Sequence, residues 1–143
     1  MIKIRKLKKG DLDFVLNLFR ELDDNTTGIN DEWEIYEILN MINNYKDLNL
    51  GAFLDGKLIG FVLSHCYTRA NKVYVENIVV SKEHRRKGVA SALLCELHFL
   101  YSKLGNYRFI ALVNENNISS CALFKKFYMS GNKMIWYQRK KEK

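Results

Sequence analysis

The sequence predicts an α/β fold in one domain, a mixed and mostly antiparallel sheet flanked by about four helices. Three observations carry this. Apolar residues at spacings of three and four mark amphipathic helices, and short apolar runs between them read as strands. Asp55-Gly56, set between the runs 50–54 and 58–64, is a two-residue hairpin turn that makes part of the sheet antiparallel. The run 73–80, a leucine-rich helix and the run 107–113 form a β-α-β crossover, which implies one parallel pair.

The elements follow in order. Residues 2–7 read as a first strand. Asp11 is placed to cap a helix whose apolar positions are Leu12, Val15, Leu16, Phe19 and Leu22. A polar loop at 23–30 leads to a second helix with Ile35, Ile38, Leu39 and Ile42 on one face, its N-terminus suited by Asp31 and Glu34. After the hairpin, a turn near Ala70-Asn71 precedes the strand 73–80. The third helix carries Val89, Leu93, Leu94, Leu97, Leu100, Tyr101 and Leu104 and stops at Gly105-Asn106. A strand at 107–113, a fourth helix from 117 to about 128 and a last strand at 133–138 complete the order β-α-α-β-β-β-α-β-α-β. Gly131 is a candidate stop that would lengthen the fourth helix.

With 143 residues, 48% of them hydrophobic, the chain is large enough for one real core. It has no proline, low-complexity linker or internal repeat. The domain is therefore expected over 1–138, with Arg139-Lys140-Lys141-Glu142-Lys143 a solvated basic tail. No apolar run is long enough to span a membrane, and the N-terminus lacks the core of a signal peptide. Cys66, Cys95 and Cys121 show neither a CxxC pair nor zinc spacing, and His65, His84 and His98 form no ligand cluster. Free thiols, no metal and a cytoplasmic location are the expectation.

Charge is unevenly placed. The net charge is +7, yet seven of the sixteen acids lie within 21–37, a stretch with no Lys or Arg. An acidic segment is thus set in a basic body, which admits anionic ligands on one part and cations on another.

The turn Ser81-Lys82-Glu83-His84-Arg85-Arg86-Lys87-Gly88-Val89-Ala90 joins a strand to a helix N-terminus. Free N–H groups of a first helical turn and the helix dipole favour a phosphate there. Gly88 and Ala90 allow close approach to the backbone, and Arg85, Arg86 and Lys87 add charge, so a phosphorylated cofactor is expected at this turn.

At these residues the chain resembles the GNAT family of acyl-CoA-dependent N-acyltransferases. The family's cofactor signature, Arg or Gln, two residues, Gly, one residue, Gly or Ala, stands here as Arg85-Arg86-Lys87-Gly88-Val89-Ala90. A second segment stands as Asn117, Ser120 and Leu123-Phe124, and the element order matches over nearly the whole chain. The resemblance implies acetyl-CoA as cofactor, with its pyrophosphate on the amides of Arg86 to Ala90 and Ser91 nearby. It implies that the pantetheine arm pairs with the edge formed by Ile78, Val79 and Val80, like an added strand. Asn117 would meet that arm from the other side, with Phe124 also among the cofactor contacts. The strands around Val80 and Val113 are expected to splay and admit the thioester.

Attack on a thioester needs a neutral amine, so a base or ordered water must remove a proton. Glu76 is the candidate base: a carboxylate inside an apolar strand is costly unless used or paired. Its other reading is an edge or salt-bridged carboxylate. Alternation in a regular strand would put Glu76, Ile78 and Val80 on one face. A strand amide around Val79 is expected to stabilise the oxygen that becomes negative. Many family members carry Tyr as general acid where this chain has Phe124; Tyr128, four residues on, could supply the hydroxyl from the same helical face. A thiolate leaving unaided is the competing reading.

The family's first two helices and their loop wall the acceptor pocket, which here is the acidic segment. Asp23, Asp24, Asp31 and Glu32 would attract a cationic acceptor such as a polyamine, a basic peptide or a lysine or N-terminal amine; the plainer reading is a solvated helix start. Trp33 and Tyr36 would line that pocket or a dimer contact, or pack into the core. Two rivals accompany this reading: a GNAT-fold sensor or subunit that binds acyl-CoA with little catalysis, and a nucleic-acid-binding protein using the basic body. Either a monomer or a homodimer is compatible.

Overall fold

In a computed structural model, residues 1–21, 32–44, 47–111, 113 and 117–128 are described, the side chains of 32–34 excepted. They belong to two compact units, Met1–Leu112 and Val113–Lys143. In the first, the order is β1 (Ile2–Lys6), α1 (Leu12–Glu21), α2 (Glu32–Asn43), β2 (Leu50–Leu54), β3 (Lys57–Tyr67), β4 (Lys72–Val80), α3 (Val89–Ser102) and β5 (Arg108–Ala111). In the second unit, α4 spans Ile118–Phe127. The loop at 23–30, the strand expected at 133–138 and the basic tail lie outside the described residues.

The sheet order is β1-β2-β3-β4-β5. The first three pairings are antiparallel and β4 with β5 is parallel, giving the mixed sheet expected from the crossover. Asp55 and Gly56 both have positive φ, as a type I′ hairpin turn requires. Asn71, φ 50°, makes the turn into β4.

Three local expectations differ from the structure. Asp11 does not cap α1: its carboxylate turns back to accept from the Lys8 N–H at 2.8 Å and to pair with Arg5 at 2.8 and 3.0 Å. That hydrogen bond to the Arg5 guanidinium holds the Asp11 carboxyl below the usual carboxylate range. The strand expected at 107–113 is shorter, Arg108–Ala111. α4 ends at Phe127 rather than running on to Gly131, because Tyr128 turns to an extended conformation, φ −114° and ψ 132°, while its N–H still bonds Phe124 O at 2.7 Å.

Side chains pack on both faces of the sheet. On one, Phe53, Leu58, Phe61, Leu63 and Val79 bury against Val15, Phe19, Ile38 and Ile42 of α1 and α2. On the other lies α3, with Leu93, Leu94, Leu97 and Tyr101 fully buried. The Tyr101 hydroxyl meets Ser64 Oγ at 2.8 Å and accepts from the Leu48 N–H at 2.9 Å. It therefore ties the segment before β2 to β3 and α3. Tyr101→Phe is expected to cost about 1–3 kcal/mol, the usual penalty for leaving a buried donor unsatisfied; a denaturant melt measures it.

No helix among the described residues is long and apolar enough to cross a membrane.

Candidate active site

β5 pairs with β4 only from Lys72↔Arg108 to Val75↔Ala111. Among the described residues, β4 beyond that point pairs with β3 only, through Asn77, Ile78, Val79 and Val80. Its other edge has no strand partner among the described residues. Unpaired backbone groups on such an edge can accept an extended ligand as they would a further strand. Val79 is buried, so it can offer this edge only its backbone.

The divergence coincides with a β-bulge. Leu63 pairs with Asn77 but Ser64 pairs with Val75, so Glu76 is the extra residue on β4. A bulge resets alternation and re-aims side chains. Val75 lies opposite Ser64, on the face where Ser64 meets Tyr101 of α3. Val79 lies opposite Phe61, in the cluster with α1 and α2. Residues four apart thus occupy opposite faces, which a regular strand cannot do. Glu76 consequently shares the α1–α2 face with Tyr74 and His65, and not the face of Ile78 and Val80 that regular alternation would give it. Within the described residues no cation lies within ion-pair distance of Glu76. Although the residue is open to solvent, its carboxyl is sufficiently enclosed for burial to raise its pKa. The charge of His65 opposes that rise, and Asp47 and Glu37 of α2 reinforce it.

At its far end β4 runs into the basic turn. Ser81 and His84 close this turn, with Ser81 Oγ 2.7 Å from His84 Nδ1 and the His84 N–H donating to Ser81 O at 3.0 Å. Arg85 Nε donates to Val80 O at 3.2 Å, tethering the turn to the strand end. Arg86, φ 61°, and Gly88, φ 80°, take left-handed conformations that expose successive backbone N–H groups. Gly88 is the N-cap of α3 and brings no side chain to satisfy the first-turn amides. Among the described residues, a Cβ built on it meets no atom within 4 Å, so the space in front of these amides is open. Arg85, Arg86 and Lys87 are exposed around it, while buried Val89 anchors the helix start. At Gly60 a Cβ would lie 3.0 Å from Val79 O and 3.2 Å from Val89 Cγ1, so glycine there lets helix and strands close up.

In the second unit, Asn117 caps α4 by accepting from the Ser120 N–H at 3.1 Å, which leaves its amide nitrogen available. The rings of Phe124 and Tyr128 lie 5.3 Å apart. Burial pushes the Tyr128 hydroxyl well above the usual tyrosine range, so it is protonated at neutral pH.

Asp23, Asp24 and Asp31 lie outside the described residues, as do the side chains of Glu32 and Trp33. Tyr36 is 65% exposed on α2 and does not pack into the core.

A further pair of groups lies near Glu76. His65 Nδ1 lies 3.0 Å from Asp47 Oδ2, and the His65 ring stacks edge-on against Tyr67, which in turn meets Tyr74. The alternation Leu63, His65, Tyr67 is a legible signal for a shared face. Nothing local to Asp47 announces its role.

Among the described residues, a strand edge without a partner leads into an open, basic helix N-terminus, which can hold an extended phosphorylated ligand with a carboxylate beside the strand. The comparisons give this architecture its class. The sequence profile of the Acetyltransferase (GNAT) family matches residues 13–128, and the chain belongs to that family. Its activity class is acyl transfer from an acyl-CoA. Among solved structures, it is similar to PaiA N-acetyltransferase from Thermoplasma acidophilum in complex with coenzyme A. The two are 28% identical, 89% of this chain and 88% of that one are covered, and the TM-score is 0.75. It also shares its fold with the ribosomal-protein-S18-alanine N-acetyltransferase from Escherichia coli, at 20% identity over 90% of this chain and 77% of that one, TM-score 0.75. A third is aminoglycoside N-acetyltransferase AAC(6')-Iy in complex with CoA, at 20% identity over 98% and 95%, TM-score 0.79. Among curated protein sequences, none matches.

Proposed function

We propose that this chain acetylates a cationic primary amine, using acetyl-CoA in a ternary complex. The observation that carries the reading is the bulge at Glu76, which sets a carboxylate with raised proton affinity beside the edge of β4 that no described strand covers. The residues present fit coenzyme A: the open amides at Gly88 to Ser91 suit a pyrophosphate, and the edge at Ile78 to Val80 suits a pantetheine arm. Bound there, the cofactor supplies an activated thioester carbonyl.

The chain's own residues supply the rest. Arg85, Arg86 and Lys87 neutralise phosphate charge as the amides of Gly88, Val89, Ala90 and Ser91 donate to it. Asn117 and Phe124 steady the arm. The Glu76 carboxylate takes a proton from the ammonium, leaving the electron pair on nitrogen for attack. A β4 amide around Val79 donates to the oxygen that becomes negative. Tyr128 gives its proton to the departing thiolate; burial keeps the hydroxyl protonated but also makes it a weaker acid, so its contribution is small. Tyr128→Phe is expected to lower kcat about 10-fold, below the range of a full general acid because a thiolate leaves readily. An unaltered rate would remove Tyr128 from the mechanism.

The acceptor is proposed to be cationic because 21–37 concentrates seven acids without a basic residue. Asp23, Asp24 and Asp31 would draw it in, with Trp33 and exposed Tyr36 as walls. The aminoglycoside and ribosomal-protein enzymes of similar fold also act at amines. Three cysteines that form no disulfide accord with a reducing cytoplasm as the proposed compartment.

The test is thiol release from acetyl-CoA against polyamines, aminosugar phosphates, free amino acids and peptides with free N-termini or lysines. Release that depends on a multiply charged amine is expected. Release only with neutral or anionic acceptors would overturn the cationic assignment. No release from any amine, with acetyl-CoA still bound, would favour a sensor or subunit.

A further inference from the structure

Asp47 is 1% exposed, and both of its carboxylate oxygens are engaged. Oδ1 accepts from the Cys66 N–H at 2.8 Å, and Oδ2 lies 3.0 Å from His65 Nδ1. An ionised carboxylate can only accept, so Nδ1 carries the proton and neutral His65 has its lone pair on Nε2. The ring is fixed from a second side by Tyr67, 4.6 Å away and edge-on. The His65 side chain is 36% exposed, and among the described residues Nε2 has no protein partner. β3 register places His65 opposite Tyr74, two residues before Glu76 and on the same face. A buried carboxylate, an oriented imidazole and a free basic nitrogen thus lie beside the proposed base.

We propose that the Asp47–His65 pair is a proton relay that restores Glu76 in each cycle, an inference that rests on the acetyl-transfer reading. Glu76 receives the amine's proton as an O–H bond. That bond breaks, its electron pair remains as the carboxylate, and the proton forms an N–H bond at Nε2, directly or through one water. Asp47 balances the charge of the resulting imidazolium. The proton then leaves from exposed Nε2 to solvent, a route that stays open when an acceptor covers Glu76. His65 is therefore a positioning residue acting through Glu76, and Asp47 acts through His65.

Among the described residues, the charged groups that face Glu76 are His65 of β3, Asp47 before β2 and Glu37 of α2. Charge on His65 lowers the Glu76 pKa, so its loss must move that pKa up. The test is His65→Asn, whose amide can still donate to Asp47 but has no basic nitrogen at the Nε2 position. The expected result is a kcat on the order of 100-fold lower, KM for acetyl-CoA unchanged, and the acid limb of kcat/KM moved to higher pH. Added imidazole should restore turnover in His65→Ala. A histidine that acts only through its charge moves the limb but gives no rescue by imidazole, and wild-type kcat in His65→Asn, or no rescue of His65→Ala, would overturn the relay. Ring nitrogen NMR of the wild-type protein tests the pair without turnover: protonated Nδ1 is expected, and a protonated Nε2 in the neutral ring would overturn the proposal. A protein silent towards every amine that still shows protonated Nδ1 would instead mark failure of the acetyl-transfer reading.

Discussion

Glu76→Gln is expected to lower kcat by about 10²- to 10³-fold, with acetyl-CoA affinity unchanged. The amide keeps the size of the side chain but cannot take a proton. Affinity should hold because the cofactor's proposed contacts are backbone amides and the basic turn, none supplied by this side chain. The sign of the pH dependence follows from burial. A base must be ionised to act, and enclosure raises the Glu76 pKa. The acid limb of wild-type kcat/KM should therefore lie above the pH at which an ordinary glutamate titrates, about 4.3, and should vanish in Glu76→Gln. The same shift predicts an effect on stability. With its folded pKa raised, ionised Glu76 opposes folding; this penalty is absent below the unfolded pKa and fully present above the folded one. Glu76→Gln should accordingly melt slightly higher than wild type at neutral pH, a cost that active-site groups commonly impose. Wild-type turnover across pH would remove Glu76 from the mechanism.

Gly88→Val should weaken coenzyme A binding by 100-fold or more, an estimate on the order of 3 kcal/mol. Two effects act together. At φ 80° a β-branched residue is strained by about 1–3 kcal/mol, and its methyls would fill the open space before the helix amides. Gly88→Asn separates them, since asparagine tolerates the left-handed region. It should fold close to wild type yet still lose affinity, because its side chain occupies the phosphate cradle. Isothermal titration with coenzyme A reads both variants, and retained affinity in Gly88→Val would sink the phosphate-turn assignment.

The parts of the fold written in local pattern were legible. Asp55-Gly56 specifies its hairpin because both residues must take positive φ, and Val89 to Tyr101 specifies a helix by spacing alone. The turn between β4 and α3 was legible for the same reason, a glycine between strand and helix. The bulge was not. It adds Glu76 to β4 through a pairing with β3 that no local pattern encodes, and so regular alternation assigns Glu76 to the wrong face. Asp47 was equally hidden: its partners, His65 and Cys66, lie 18 and 19 residues away. Asp11 looked like a helix cap because the competing Arg5 lies on a strand that only the folded chain brings near.

Side-by-side assay of wild type and Glu76→Gln for amine-dependent thiol release, with acetyl-CoA and a linear polyamine, tests the central claim most directly. The wild type is expected to release thiol only with the amine present, and the variant on the order of 100-fold more slowly. Equal rates in the two proteins would contradict it.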